Sequence, residues 1–401
     1  MFFSKRMLLL FISIFELSGC STIPIQGPRL DDAQRASLES ALSESVSSGS
    51  VGLALGLLAN SEGVVFEYAA GENAPGVAAT TDTIVRLDSL TKPLTAAAVM
   101  LLVDQGKVLL ADPVSKYIPS FSRSCVQSSK ADKASSACVP VVREMTIAHL
   151  LTHTGGLAGY SEAVDALWDS ESNMQFAEGI AKLPLRHQPG EGFQYGNAYE
   201  VLPAVISAAS GMSFDAFLHQ YLFNPMKMND TYFVVPDSKR MRFAALYTRD
   251  DNGALTVMSS PYDPETETFP SGGGGVKSTL HDYARFARML LGGGQLDGIR
   301  ILSAEAVNLM TRPHVEKSVA DSWQGDYAWG YGLSVRRTML ERPDDKKSVG
   351  SFGWNGGYGT LFFVDPSLDL IGITFTQMHW RDDHDMRARF EKAALAVWGQ
   401  R

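Results

Sequence analysis

Residues Leu94 to Val103 are apolar at every position except Thr95. A helix without a polar face belongs inside a core, with other elements packed around it, and Gly106 supplies its stop. Directly ahead stands Arg86-Leu-Asp-Ser89-Leu-Thr-Lys92-Pro93. Residues three apart stack on one face of a helix, so Ser89 and Lys92 would present a hydroxyl and an amine side by side at its N-terminus. A serine is a weak nucleophile until a base takes its proton, and an amine within reach can be that base. The pattern predicts a serine hydrolase of the Ser-Lys kind. Pro93 disfavours helical geometry at Lys92, which a tight, 3₁₀-like first turn would accommodate.

A chain of 401 residues can bury a large core and form one domain with an insertion or two domains. A net charge of -9 excludes the basic face that a nucleic-acid partner would need. Lys5 and Arg6 followed by the apolar run Met7 to Phe15 read as a targeting segment too short to span a bilayer. Leu17-Ser-Gly-Cys20 resembles a bacterial lipobox, which implies a signal peptide over 1–19 and a diacylglyceryl group on Cys20. The expected address is the bacterial cell envelope, the outer membrane facing the periplasm, with the lipid on Cys20 as the membrane partner. An ordinary secretory signal cut near Gly19 is the alternative. No later stretch reaches the 18 apolar residues of a transmembrane helix. Cys125 and Cys138 bracket a Ser/Lys/Ala-rich loop, and in an oxidising compartment they read as a structural disulfide. They lack the CxxC spacing and clustered histidines of a metal site.

After a linker over 20–30, a helix is expected from Asp31 to Val46, then strands Val51 to Ala59 and Val64 to Ala70 joined at Asn60-Ser-Glu-Gly63. Helices are expected at Thr146 to Thr152, Ala163 to Leu183, Ala198 to Ser210, Phe214 to Leu222, Thr279 to Leu291, Ala304 to Met310 and Met386 to Trp398. Strands are expected at Gly330 to Val335, Thr360 to Val364 and Leu370 to Gln377, the last two paired antiparallel across Asp365-Pro-Ser-Leu-Asp369. The fold class that results is α+β. One antiparallel sheet is built from both chain ends and flanked by helices (residues 31–95 and 270–401), with a mostly helical insertion over 96–269.

Lys92 is the one lysine with a serine three residues earlier, and Tyr195-Gly-Asn197 is the single Tyr-x-Asn. Gly353-Trp-Asn-Gly-Gly357 lies far downstream. Together and in this order they resemble the active-site boxes of serine β-lactamases and penicillin-binding proteins. The likeness is to the class C β-lactamase group and, within it, the family VIII carboxylesterases. It spans about Leu53 to Val364 and includes Asp112-Pro-Val-Ser-Lys-Tyr117, Met145 to Leu157, Gln188-Pro-Gly-Glu191, Pro225-Met-Lys-Met228 and Ser271 to Gly275. The resemblance implies a β-lactamase/transpeptidase-like fold. It also implies that Ser89 is acylated, Lys92 accepts its proton, Tyr195 is the second acid/base, and Asn197 bonds Lys92 and the substrate. The N–H groups of Ser89 and Gly357 would form the oxyanion hole. Trp354, Asn355 and Gly356 would line the substrate side.

A free lysine or tyrosine is almost fully protonated at pH 7, so one of them would have to be lowered by roughly 3 units, about 4 kcal/mol. Burial and the positive end of the helix are expected to push Lys92 that way, and the pair should titrate together. Where β-lactamases have Lys-Thr-Gly, this chain has Trp354-Asn-Gly356, an apolar wall in place of the cation that meets a substrate carboxylate. Hydrolysis of carboxylic esters without metal or organic cofactor is therefore expected, the partner being a small-molecule ester or amide. The alternative is a β-lactamase or D,D-carboxypeptidase. The Gly-x-Ser-x-Gly elbow of α/β-hydrolases is absent. His149 and His153, four apart with no Glu between them, read as structural. Gly272 to Gly275 lacks the Walker Lys-Ser/Thr and reads as a close backbone approach to the cleft.

Overall fold

The computed structural model describes residues 30–127, 138–159, 161–260, 263, 268–315, 326–338, 346–379 and 386–399. The signal region 1–19, Cys20 and all of the 20–30 linker but Leu30 lie outside them, as do residues 128–137 of the loop between the cysteines.

The strands of the main sheet are β1 (Leu53–Ala59), β2 (Val64–Ala74), β3 (Val77–Ala78), β4 (Tyr327–Trp329), β5 (Ser334–Arg336), β6 (Phe352–Gly356), β7 (Thr360–Asp365) and β8 (Leu370–Phe375). Their order is β4-β5-β6-β7-β8-β1-β2-β3, antiparallel throughout. The two chain ends meet in the middle, where Leu55 lies opposite Phe375. All seven residues of β1 are buried, as a strand covered on both faces requires.

One face carries α1 (Asp32–Ser47), which opens on a capping box between Asp31 and Gln34. The C-terminal helix Met386–Trp398 packs beside it. Both reach the sheet at Gly56, where an added Cβ would collide with Leu42 and Phe390. Against the other face lies the helix Leu280–Leu291, whose Tyr283 ring meets Phe362 at 5.1 Å. The buried helix read from the sequence is α2 (Thr91–Asp104), and every residue from Thr91 to Leu102 is buried. A 3₁₀ turn over Asp88–Leu90 leads into it, so Pro93 falls in the first turn, where its missing N–H costs nothing.

Two expectations are corrected, and two others gain detail. Ala163 to Leu183 is not one helix: it breaks into Glu162–Asp165, a 3₁₀ turn at Ala166–Asp169 and Asn173–Ile180, because the Ser172 side chain caps the last by accepting the Gln175 N–H at 3.2 Å. The helix expected over Phe214 to Leu222 forms, as α over Phe214–Leu218 and π over His219–Phe223. Gly330 to Val335 is not one strand: Gly330 to Leu333 form the turn between β4 and β5, and pairing starts at Ser334. Gly332 has φ of 76°, and an added Cβ would collide with Ala96 of α2. The insertion also holds two short hairpins, Leu246–Arg249 with Leu255–Met258 and Cys125–Gln127 with Cys138–Pro140. Cys125 and Cys138 are disulfide-bonded across the second, Cα atoms 5.6 Å apart. Closing a loop of this length contributes about 3 kcal/mol on the chain-entropy model.

Candidate active site

The Ser89 turn is clamped from three sides. Thr360 Oγ1 on β7 donates to the Leu87 carbonyl at 2.8 Å, and Tyr283 Oη donates to the Leu90 carbonyl at 2.9 Å. The Val276 N–H donates to Thr91 Oγ1 at 3.1 Å. Gly356, at the end of β6, has no room for a Cβ against the Leu87 carbonyl, so the sheet edge sits directly on the turn. Asp88 takes φ of 48°, a left-handed conformation that costs a non-glycine residue about 1 kcal/mol or more and persists only where its surroundings hold it.

Lys92, 5% exposed, donates from Nζ to Ser89 Oγ at 3.1 Å and to the Gly273 carbonyl at 2.8 Å. Its Nζ lies 4.8 Å from the centre of the Tyr195 ring, a neighbour that helps hold the proton on the ammonium. The phenol oxygen accepts the Trp354 Nε1–H at 3.1 Å. Serine, lysine and tyrosine thus converge at one end of α2, with Trp354 roofing the tyrosine. The Ser271–Gly275 loop is pinned to α2 by Lys92 and by Thr95 Oγ1, which donates to the Gly272 carbonyl at 2.7 Å. The close approach read from its glycines is what the loop makes.

The electrostatics depart from the sequence expectation. Burial pushes Lys92 down, but the Tyr195 phenol and the Asp88 and Glu200 carboxylates more than offset it and hold the ammonium above the ordinary lysine value. Lys92 is cationic at rest, not lowered. Burial raises the Asp88 carboxyl, although Lys92, the Gly357 and Ser89 N–H groups and the Ser89 hydroxyl all favour its charged form.

Two further residues placed by resemblance stand elsewhere. Asn197 is buried and donates from Nδ2 to the Ala158 carbonyl at 2.8 Å. Gly273, not Asn197, takes the Lys92 proton donor. Asn355 is exposed and, one residue along an extended strand from Trp354, points to the opposite side of the sheet. The Gly357 N–H is at the site but donates to the Asp88 carboxylate.

Two residues beside the site went unread, and a third, His153, is the structural histidine expected. Glu200, 5% exposed, accepts from Ser271 Oγ at 2.9 Å and from the Gly273 N–H at 3.1 Å, so it shapes the loop whose carbonyl holds Lys92. Its spacing of three from Asn197 was the available signal. His153 is fully buried beneath Tyr195, ring centres 4.6 Å apart, and neither ring nitrogen has a partner among the described residues. Burial, with Lys92 second, pushes it well below the ordinary histidine value, so it packs as a neutral ring. His149 is the other structural histidine expected, its Nδ1 accepting the Thr146 N–H at 3.1 Å. The second unread residue is Asp88. Replacing Glu200 with Gln is expected to move the acid limb of the kcat/KM profile to lower pH. One charge that keeps the proton on Lys92 is gone, so the Lys92/Tyr195 pair gives it up sooner. An unmoved limb in a pH–rate series would contradict this.

The Beta-lactamase family model matches residues 35–396, and the chain belongs to that family. It is an enzyme of the β-lactamase-fold serine hydrolases. Protein Rv1367c of Mycobacterium tuberculosis (strain ATCC 25618 / H37Rv) is 34% identical over 319 residues, 75% of this chain and 79% of that one. Esterase EstB of Burkholderia gladioli is 28% identical over 336 residues, 74% of this chain and 77% of that one. Among solved structures, EstCE1, a hydrolase with promiscuous acyltransferase activity, superposes with a TM-score of 0.78 at 21% identity, covering 90% of this chain and 98% of that one. That likeness carries the fold.

Proposed function

We propose that the protein hydrolyses small carboxylic esters through an acyl-enzyme on Ser89, and that a lipid on Cys20 holds it at the cell envelope. Ser89 Oγ attacks the ester carbonyl when the Lys92/Tyr195 pair, which titrates as a unit, is one proton short of ammonium plus phenol, and the serine proton fills that place. The resulting oxyanion is bound by the N–H groups of Ser89 and Gly357. Collapse of the tetrahedral species expels the alcohol, which takes a proton from the pair through Tyr195. A water deprotonated by the same pair then attacks the acyl group and frees Ser89.

The observation that carries this reading is the 3.1 Å hydrogen bond from Lys92 Nζ to Ser89 Oγ, with the Tyr195 ring 4.8 Å from the same ammonium. The preference for esters rests on Trp354, whose indole faces Tyr195 where a cation for an anionic lactam would be wanted. The name of the EstB relative agrees with it. A short-chain nitrophenyl ester is expected to give burst kinetics and a higher kcat/KM than a cephalosporin or a D-Ala-D-Ala peptide. The reverse ranking would overturn the ester assignment. Full-length protein expressed in a bacterial host is expected to sediment with membranes, and Cys20→Ser protein to leave them. Equal sedimentation of the two would remove the anchor.

A further inference from the structure

The proposed oxyanion hole already contains a carboxyl group. Asp88 Oδ2 accepts the Gly357 N–H, and the N–H and hydroxyl of the neighbouring Ser89 favour its charged form. These are the two backbone donors assigned above to the tetrahedral oxyanion. We propose that Asp88 is an internal occupant of the oxyanion hole, a specificity-determining residue that a substrate carbonyl must displace before Ser89 can be acylated. The proposal rests on the serine-hydrolase reading of this site and deepens it.

The backbone argues that this placement is built rather than incidental. Asp88 sits in the left-handed region, which aspartate adopts at a cost, and the Leu87 carbonyl just before it is held by Thr360 Oγ1. Gly356 lets the sheet edge close on this turn, and an added Cβ would come within 3.4 Å of the Asp88 Cβ. The carboxyl caps no helix, since neither the 3₁₀ turn that Asp88 begins nor α2 has a side-chain cap. What the carboxylate does is fill donors that catalysis needs. A neutral ester oxygen competes poorly with a carboxylate for an N–H, because hydrogen bonds to charged acceptors are roughly twice as strong as neutral ones. A substrate must therefore supply binding energy elsewhere in the cleft to move Asp88. A ligand that places its own negative oxygen in the hole meets repulsion as well as occupancy.

The test uses phenylboronic acid on wild-type, Asp88→Ala and Asp88→Asn protein. The Ser89 oxygen bonds to boron, the hydroxyl proton passes into the Lys92/Tyr195 pair, and the tetrahedral anion puts one B–OH oxygen in the hole. Boronate affinity is expected to rise about tenfold or more in Asp88→Ala, a fraction of the 10²–10³ usually attached to one oxyanion donor. It is expected to rise less in Asp88→Asn, which keeps an acceptor without the charge and serves alone where the alanine variant does not fold. Fluorophosphonate labelling of Ser89 in wild type, mapped by peptide mass, is the control for the site itself. Unchanged or weaker boronate binding in variants that still label would overturn the occupant and spare the site. Absence of Ser89 labelling in wild type would overturn the site and the occupant with it.

Discussion

Lys92→Met protein is expected to lose kcat/KM for a short-chain nitrophenyl ester by about 10⁴-fold or more, the scale of losing one member of a cooperating catalytic set. The ammonium holds Ser89 Oγ at 3.1 Å and Gly273 at 2.8 Å, and it is the cation that faces Asp88 and Glu200. Methionine fills the same buried channel without supplying a donor or a charge, so Ser89 Oγ loses its donor and the pair that takes its proton is broken. Fluorophosphonate labelling of Ser89 is expected to slow in parallel, since it needs the same proton transfer. A variant that keeps labelling while losing ester turnover would place Lys92 in deacylation alone. Unaltered ester kinetics would remove it from the mechanism.

Tyr195→Phe is expected to cost about 10²–10⁴-fold in kcat, the range of a positioned acid/base group. The substitution leaves the ring against His153 and Trp354 but deletes the oxygen that accepts the indole N–H. Because Tyr195 is the first-ranked charge holding Lys92 up, its loss also frees burial to draw the ammonium down. The pH profile is therefore expected to change shape as well as height, with the acid limb moving to lower pH. A uniform loss at every pH would make Tyr195 a packing residue.

Much of this was legible in the chain because the strongest signals were periodic or paired. The all-apolar stretch after Lys92 forced a buried helix. The central strands Leu53–Ala59 and Leu370–Phe375 are continuous apolar runs, and the turn between β7 and β8 is written in Asp365 to Asp369. What escaped depends on neighbours distant in sequence. The strand Phe352–Gly356 carries Gly353, Asn355 and Gly356, poor strand formers that belong to it because β7 pairs along its length. Ser172 broke a helix that its apolar spacing favoured. Within the site, Ser89, Lys92 and Tyr195 were readable because their spacings are local and distinctive. Asn197 and Asn355 were placed by likeness alone, and their side chains turned elsewhere. The charge on Lys92 could not be read at all, because Asp88 in its own turn and Tyr195 and Glu200 on a stretch a hundred residues away decide it against burial.

The central claim is tested most directly by rapidly quenching the wild-type protein during ester turnover and weighing the intact chain and its peptides. The account predicts a mass increase equal to the acyl group, confined to the peptide bearing Ser89 and absent from Ser89→Ala protein. Ester turnover with no adduct, or with the adduct on another residue, would contradict it.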